Sequence, residues 1–213
     1  SRLPWLIKWF FSQENVFEIW SPAPLPVKKK CLIFRQHNIL QIKKYKKTQL
    51  DTVLVYGNYL EEDKGIEVFK RFLKKHSIFN YRVFGGTFNN QKIDLTDIRF
   101  TQTYDGRSFE GNFDKFVDEN SVYFFCSLYD LAPLTLVKAV VQNSAILVAH
   151  DNSARIIENF FGALPSYEVE VKNGVLFFDR EQVLQFNNEV ITRLNGRRSI
   201  EELIEGISIS LAN

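Results

Sequence analysis

From Leu50 onward the apolar and polar positions alternate between two patterns. Short runs rich in β-branched and aromatic residues occur at 52–56, 80–84, 122–126, 145–149 and 175–178. Strands buried on both faces have this character. A further strand is predicted over 97–101. Between the runs the spacing becomes helical. Ile66, Phe69, Phe72 and Leu73 form a stripe that predicts a helix over 66–75. Helices are also predicted over 109–120, 134–142 and 154–160, the last capped from the polar stretch His150-Asp-Asn-Ser153. Two more follow at 181–194 and 199–207, and Ser199-Ile-Glu-Glu202 has the spacing of a capping box. Strand–helix alternation predicts parallel strands joined by right-handed crossovers, hence an α/β, doubly wound sheet.

The first 27 residues do not join this pattern. Residues 5–11 are aromatic and helical in spacing, and 16–20 could form a strand. Pro22, Pro24 and Pro26 then break regular structure, because each lacks an N–H and restricts its predecessor. Residues 1–27 are read as the tail of a preceding domain plus a linker, and 28–213 as the main domain. Lys8 among aromatics also suits a membrane surface or a partner; the edge of another domain is the plainer reading. Lysines at 28–30, 43–44 and 46–47 flank an expected short strand at 31–34. They suit phosphate or anionic lipid, or are simply solvated.

Composition narrows the classes. The chain is 45% hydrophobic and 24% charged over 213 residues, which is globular. A net charge of +2 gives no field that argues for nucleic acid. Cys31 and Cys126 are far apart and suggest no disulfide framework, which favours a reducing compartment. No apolar run approaches the length of a membrane span.

Candidate chemistry gathers in the loop 127–133. It lies at the carboxyl end of one predicted strand and the amino end of the next predicted helix. Open α/β sheets bind ligands at such ends, and free helix N–H groups attract anions. No cluster has metal-ligand spacing, no Asp-x-Asp offers a metal–diphosphate site, and no nucleophile–His–acid set can be assembled. His150 suits the role of general acid or base less well than that of a polar residue that starts a turn.

Three segments in order carry a resemblance: Tyr56-Gly57 followed by Lys64-Gly65; Tyr81-Arg-Val-Phe-Gly85-Gly86; and Ser127-Leu-Tyr-Asp130-Leu-Ala-Pro133-Leu followed by Lys138-Ala139. Over about residues 50–200 the chain resembles the C-terminal, nucleotide-sugar-binding domain of retaining GT-B glycosyltransferases, the glycosyltransferase group 1 family. The resemblance implies a Rossmann-like domain that transfers a hexose from a nucleotide-sugar donor to a glycan or lipid acceptor. It implies no cofactor and no metal. Lys64 and Asp130 take the catalytic positions. Gly57, Asn58, Gly85, Gly86, Leu131, Ala132, Pro133, Leu134 and Lys138 take the donor-binding positions. It further implies an N-terminal acceptor domain as partner, and a cytoplasmic location with peripheral contact at the inner face of the membrane.

The family's residue types follow from its chemistry. Negative charge develops on the leaving diphosphate, and a fixed cation stabilises it best where water is excluded. Against that pattern Asn58 stands where the family has Arg, which removes a charge-assisted phosphate contact. Asp130 stands for the first Glu of a pair. Lys138 stands for the second, and cannot accept hydrogen bonds from ribose hydroxyls. Asp151-Asn152 replaces a small, glycine-rich loop. Two functions follow: a donor domain of an active transferase, or a catalytically degenerate module serving as a structural or interaction subunit. A sugar-nucleotide epimerase would need an acid/base set that the sequence does not offer.

Overall fold

The computed structural model describes residues 18–21, 30–33, 40–44, 53–57, 62–76, 81–84, 103–104, 117, 119–130, 132–197, 199, 201–202 and 204. The chain divides into two compact units, one of residues 1–40 with 192–213 and one of residues 41–191.

In the smaller unit β1 (Glu18–Ser21) and β2 (Lys30–Ile33) pair in parallel. The boundary expected at residue 27 falls between these two paired strands. The Asn195 side chain brackets one peptide: its Nδ2 donates to Leu40 O at 2.8 Å and its Oδ1 accepts from Leu40 N at 2.9 Å. The capping box at Ser199 forms in both directions. Glu202 N donates to Ser199 Oγ at 3.2 Å, and Ser199 N donates to Glu202 Oε2 at 2.8 Å. The expected helix at 5–11 lies outside the described residues.

The larger unit holds a five-stranded sheet built from β3 (Val53–Tyr56), β4 (Tyr81–Phe84), β5 (Thr103–Tyr104), β6 (Ser121–Phe125) and β7 (Ala145–Val148). Every pairing is parallel, in the spatial order β5-β4-β3-β6-β7. The chain therefore starts at β3, steps outward twice, and returns to the other side of β3. The third strand lies at Thr103–Tyr104; residues 97–101, where one was expected, and the expected helix core at 109–116 lie outside the described residues.

Helices cover both faces. Tyr56 and Phe124 are register partners on one face, and Phe69 of α1 (Ile66–His76) stacks on Tyr56 at 4.7 Å and meets Phe124 edge-on at 5.2 Å. Val55 and Tyr123 are partners on the opposite face. There Tyr123 Oη donates to Thr135 Oγ1 of α2 (Leu134–Val141) at 2.7 Å. Burial on both faces explains why β3 reads Val-Leu-Val-Tyr without polar alternation: all four residues are buried. One hydrophobic core gathers Leu54, Ile66, Phe69, Val122 and Phe124, with Leu176 and Val183 from later elements.

After β7 comes α3 (Asp151–Phe161), whose N-cap is His150. A hairpin of β8 (Val169–Lys172) and β9 (Val175–Phe178) follows, and then α4 (Arg180–Asn195), whose residues 180–191 belong to the larger unit. Asp179 caps α4 through Oδ1, which accepts from Glu181 N and Gln182 N. β8 was not foreseen. Its signal was present: Val-Glu-Val-Lys alternates, and Asn173-Gly174 both take positive φ, as a tight hairpin turn requires. Among the described residues no helix is long and apolar enough to cross a membrane.

Candidate functional site

The carboxyl ends of β3 and β6 lie side by side at the point where strand order reverses, and the loops that leave them interlock. After β3 the chain makes a short 3₁₀ turn, Glu62–Lys64, before α1. The Asp63 carbonyl accepts from Leu128 N at 2.9 Å and Tyr129 N at 3.2 Å. Buried Tyr56 donates its hydroxyl to the Lys64 carbonyl at 3.1 Å, and the Cys126 thiol reaches the Gly65 carbonyl at 3.2 Å. Gly65 has φ +79°, and a Cβ there would sit 2.1 Å from the Cys126 carbonyl oxygen. Only glycine fits that left-handed backbone at that approach.

This scaffold fixes the Lys64 side chain. Its Nζ donates to the Tyr129 carbonyl at 3.0 Å and lies 3.8 Å from Asp130 Oδ2, with about a fifth of each charged side chain exposed (20% and 18%). The other carboxylate oxygen of Asp130 accepts from Ala132 N at 3.1 Å, a local turn that feeds into Pro133. Asp130 therefore does not cap α2. Pro133 occupies the N-cap and no side chain caps the helix. Leu134 begins the helix, 40% exposed. Lys138 is half-buried one turn further on, on the same side of the helix as Leu134.

The structure thus brings together Lys64, Asp130, Ala132, Pro133 and Leu134. Gly57 is buried at the end of β3. Asn58, Gly85, Gly86 and Leu131 lie outside the described residues. Four supporting groups were given no role at this site from the sequence: Tyr56 and Ser127, which stand only as members of the segments that carry the resemblance, Ser153, which stands in the capping stretch, and Asp63. Ser127 Oγ donates to the Tyr129 carbonyl at 3.2 Å, and Ser153 Oγ of α3 donates to the Ser127 carbonyl at 2.8 Å. Asp63 acts through its backbone carbonyl, which no sequence pattern marks.

Burial sets the state of the neighbouring acids. Burial pushes the Cys126 thiol well above its usual range, against the lowering effect of a backbone hydrogen bond. Cys126 is thus a protonated donor and not a nucleophile. Burial likewise raises the Tyr123 phenol, opposed by its bond to Thr135. His150 Nδ1 accepts from Asn152 N at 3.1 Å, the work of a cap. Among the described residues no three His, Cys, Asp or Glu side chains gather as metal ligands would.

No protein-family model matches the chain, and no curated protein matches its sequence. The α/β fold and the geometry of the two loops are what bear on function.

Proposed function

We propose that the larger unit is a Rossmann-like domain of the GT-B type that binds a nucleotide-sugar donor for sugar transfer. One observation carries this reading. The two loops that resemble the family's phosphate and sugar motifs meet, with Lys64 Nζ 3.0 Å from the Tyr129 carbonyl and 3.8 Å from Asp130, beside the uncapped start of α2. A cation and a helix N-terminus together suit a diphosphate. In this reading Lys64 offsets the charge that develops on the leaving phosphate. The start of α2 past Leu134, whose own N–H goes to the Ala132 carbonyl at 2.7 Å, faces the phosphate oxygens, and Asp130 orients the amine and faces the sugar. Lys138, carrying no acceptor, contributes charge and not ribose recognition. An acceptor glycan or lipid and a further domain complete the reaction.

The test is calorimetric titration of the full chain with uridine, guanosine and adenosine diphosphates. At least one should bind at millimolar concentration or below, and Lys64→Ala should weaken it about ten- to a hundredfold, the worth of a charge-assisted contact. Silence with all three overturns the proposal.

A second reading has its own support. The Lys64 amine already has two partners within the chain, so the same geometry serves as a tie between loops in a module that has lost donor binding. Lys64→Ala would then lower the melting temperature of a protein that binds no diphosphate.

A further inference from the structure

A second feature of the larger unit lies away from these loops, along the outer edge of β7. The opposite edge of the sheet is β5, only two residues long, whereas β7 presents four. Peptide groups along a parallel strand point alternately to either side. Ala149 N donates to the Phe125 carbonyl at 3.1 Å, so residues 145, 147 and 149 face β6 while Ile146 and Val148 face outward. Tyr167 closes the first outward position. Its hydroxyl accepts from Ile146 N and donates to the Ile146 carbonyl at 3.1 Å. Val148 is 38% exposed, and no described residue takes its outward N–H or carbonyl.

That open peptide borders a groove of about 630 Å³ between β7, α3 and the segment 162–170. Ile146, Val148, Ile157, Leu164 and Phe186 give it apolar walls. Among the described residues its charged lining is Glu158, Glu168 and Glu170, all exposed, with no lysine or arginine. Glu170 pairs with Lys172, which leaves Glu158 and Glu168 as the acidic rim. Unpaired strand groups beside an apolar trough form a template for strand addition, in which backbone bonds give affinity and alternate side chains give specificity.

We propose that the β7 edge at Val148 is a docking site for an extended segment of a partner protein, apolar at alternate positions and flanked by lysine or arginine. The apolar residues enter the groove, the backbone pairs with Val148, and the basic flanks meet Glu158 and Glu168. The proposal is independent of sugar transfer.

Fluorescence polarisation of the full chain tests it, with a labelled nonapeptide that has a Val-Thr-Val-Ile-Val centre and two lysines at each end. Saturable binding is expected. Exchanging the lysines for glutamates should weaken it at least about tenfold, and combining Glu158→Lys with Glu168→Lys should reverse that preference. N-methylation of alternate backbone nitrogens should abolish binding. Val148→Pro removes the outward N–H without touching the ladder to β6, and should also cost at least about tenfold. The surface double variant keeps the test decisive if the proline variant does not fold. No saturable signal with the lysine peptide overturns the proposal. So does equal binding of the N-methylated peptide, or a double variant with unchanged preference.

Discussion

Gly65→Ala is the sharpest probe of how the two loops lock. Two costs arise. An alanine held at φ near +79° pays about 1–2 kcal/mol for left-handed backbone. Its Cβ would also lie 2.1 Å from the Cys126 carbonyl oxygen, where non-bonded heavy atoms rest about 3.5 Å apart. The obstacle is backbone at the end of a central strand, so the loops must separate by about 1 Å or more. That separation strains the Asp63 carbonyl's bonds to Leu128 N and Tyr129 N and the thiol contact to Gly65, each worth about 1 kcal/mol. Together these give a loss of about 4 kcal/mol, in the tail of single-substitution effects. For a chain of this size that corresponds to a melting point lower by roughly 10 °C. Differential scanning fluorimetry reads it directly. Gly196→Ala is the control, because its Cβ would meet nothing closer than the Thr192 carbonyl at 3.4 Å. A Gly65→Ala variant melting within about 2 °C of the parent refutes the packing described here.

Tyr123→Phe removes the part-buried bond to Thr135 that ties α2 to the sheet; a loss of about 1 kcal/mol is expected in urea denaturation, and an unchanged midpoint refutes it. His150→Ala should cost about 1 kcal/mol by exposing the Asn152 N–H at the start of α3, whereas His150→Asp should retain the cap; equal melting of both variants would contradict the assignment. Stability should fall in alkali, because Cys126, Tyr123 and Tyr167 all have folded-state values raised by burial. The unfolded thiol ionises near pH 8.5 and the phenols near about 10, while the folded groups keep their protons, so their contribution is whole below about pH 8.5 and declines above it. Equal urea midpoints at pH 7 and pH 10 would refute this.

The fold was legible wherever periodicity was strong. The strands at 53–56, 81–84, 121–125 and 145–148, and the helices beginning at Ile66 and Leu134, lie within a residue or two of their expected bounds. Parallel pairing followed from the alternation alone. The hairpin at 169–178 was missed because one of its strands is built from alternating charge and valine, which reads as solvated loop until the Asn-Gly turn is weighed. At the candidate site the sequence pointed to Lys64 and Asp130. It did not reveal that their charges would meet, because contacts between loops depend on strand register. Asp130 also took a role not weighed beforehand: it turns its own loop through Ala132 and pairs with Lys64, and does not cap the helix. Ser127 stood in a segment that carries the resemblance and Cys126 in a strand run, but the bonds that they make were not legible, because those too depend on how the strands align.

Parallel pairing has a consequence for the order in which the chain can mature. The centre strand β3 leaves the ribosome long before β6, the neighbour that covers its other edge. In the interval the edge of Val-Leu-Val-Tyr that β6 will cover stays open, and an apolar strand with an open edge sticks to others and is shielded by chaperones. A nascent chain stopped before residue 121 would lack the strand that closes the middle of the sheet, and such fragments should aggregate more readily than the whole chain.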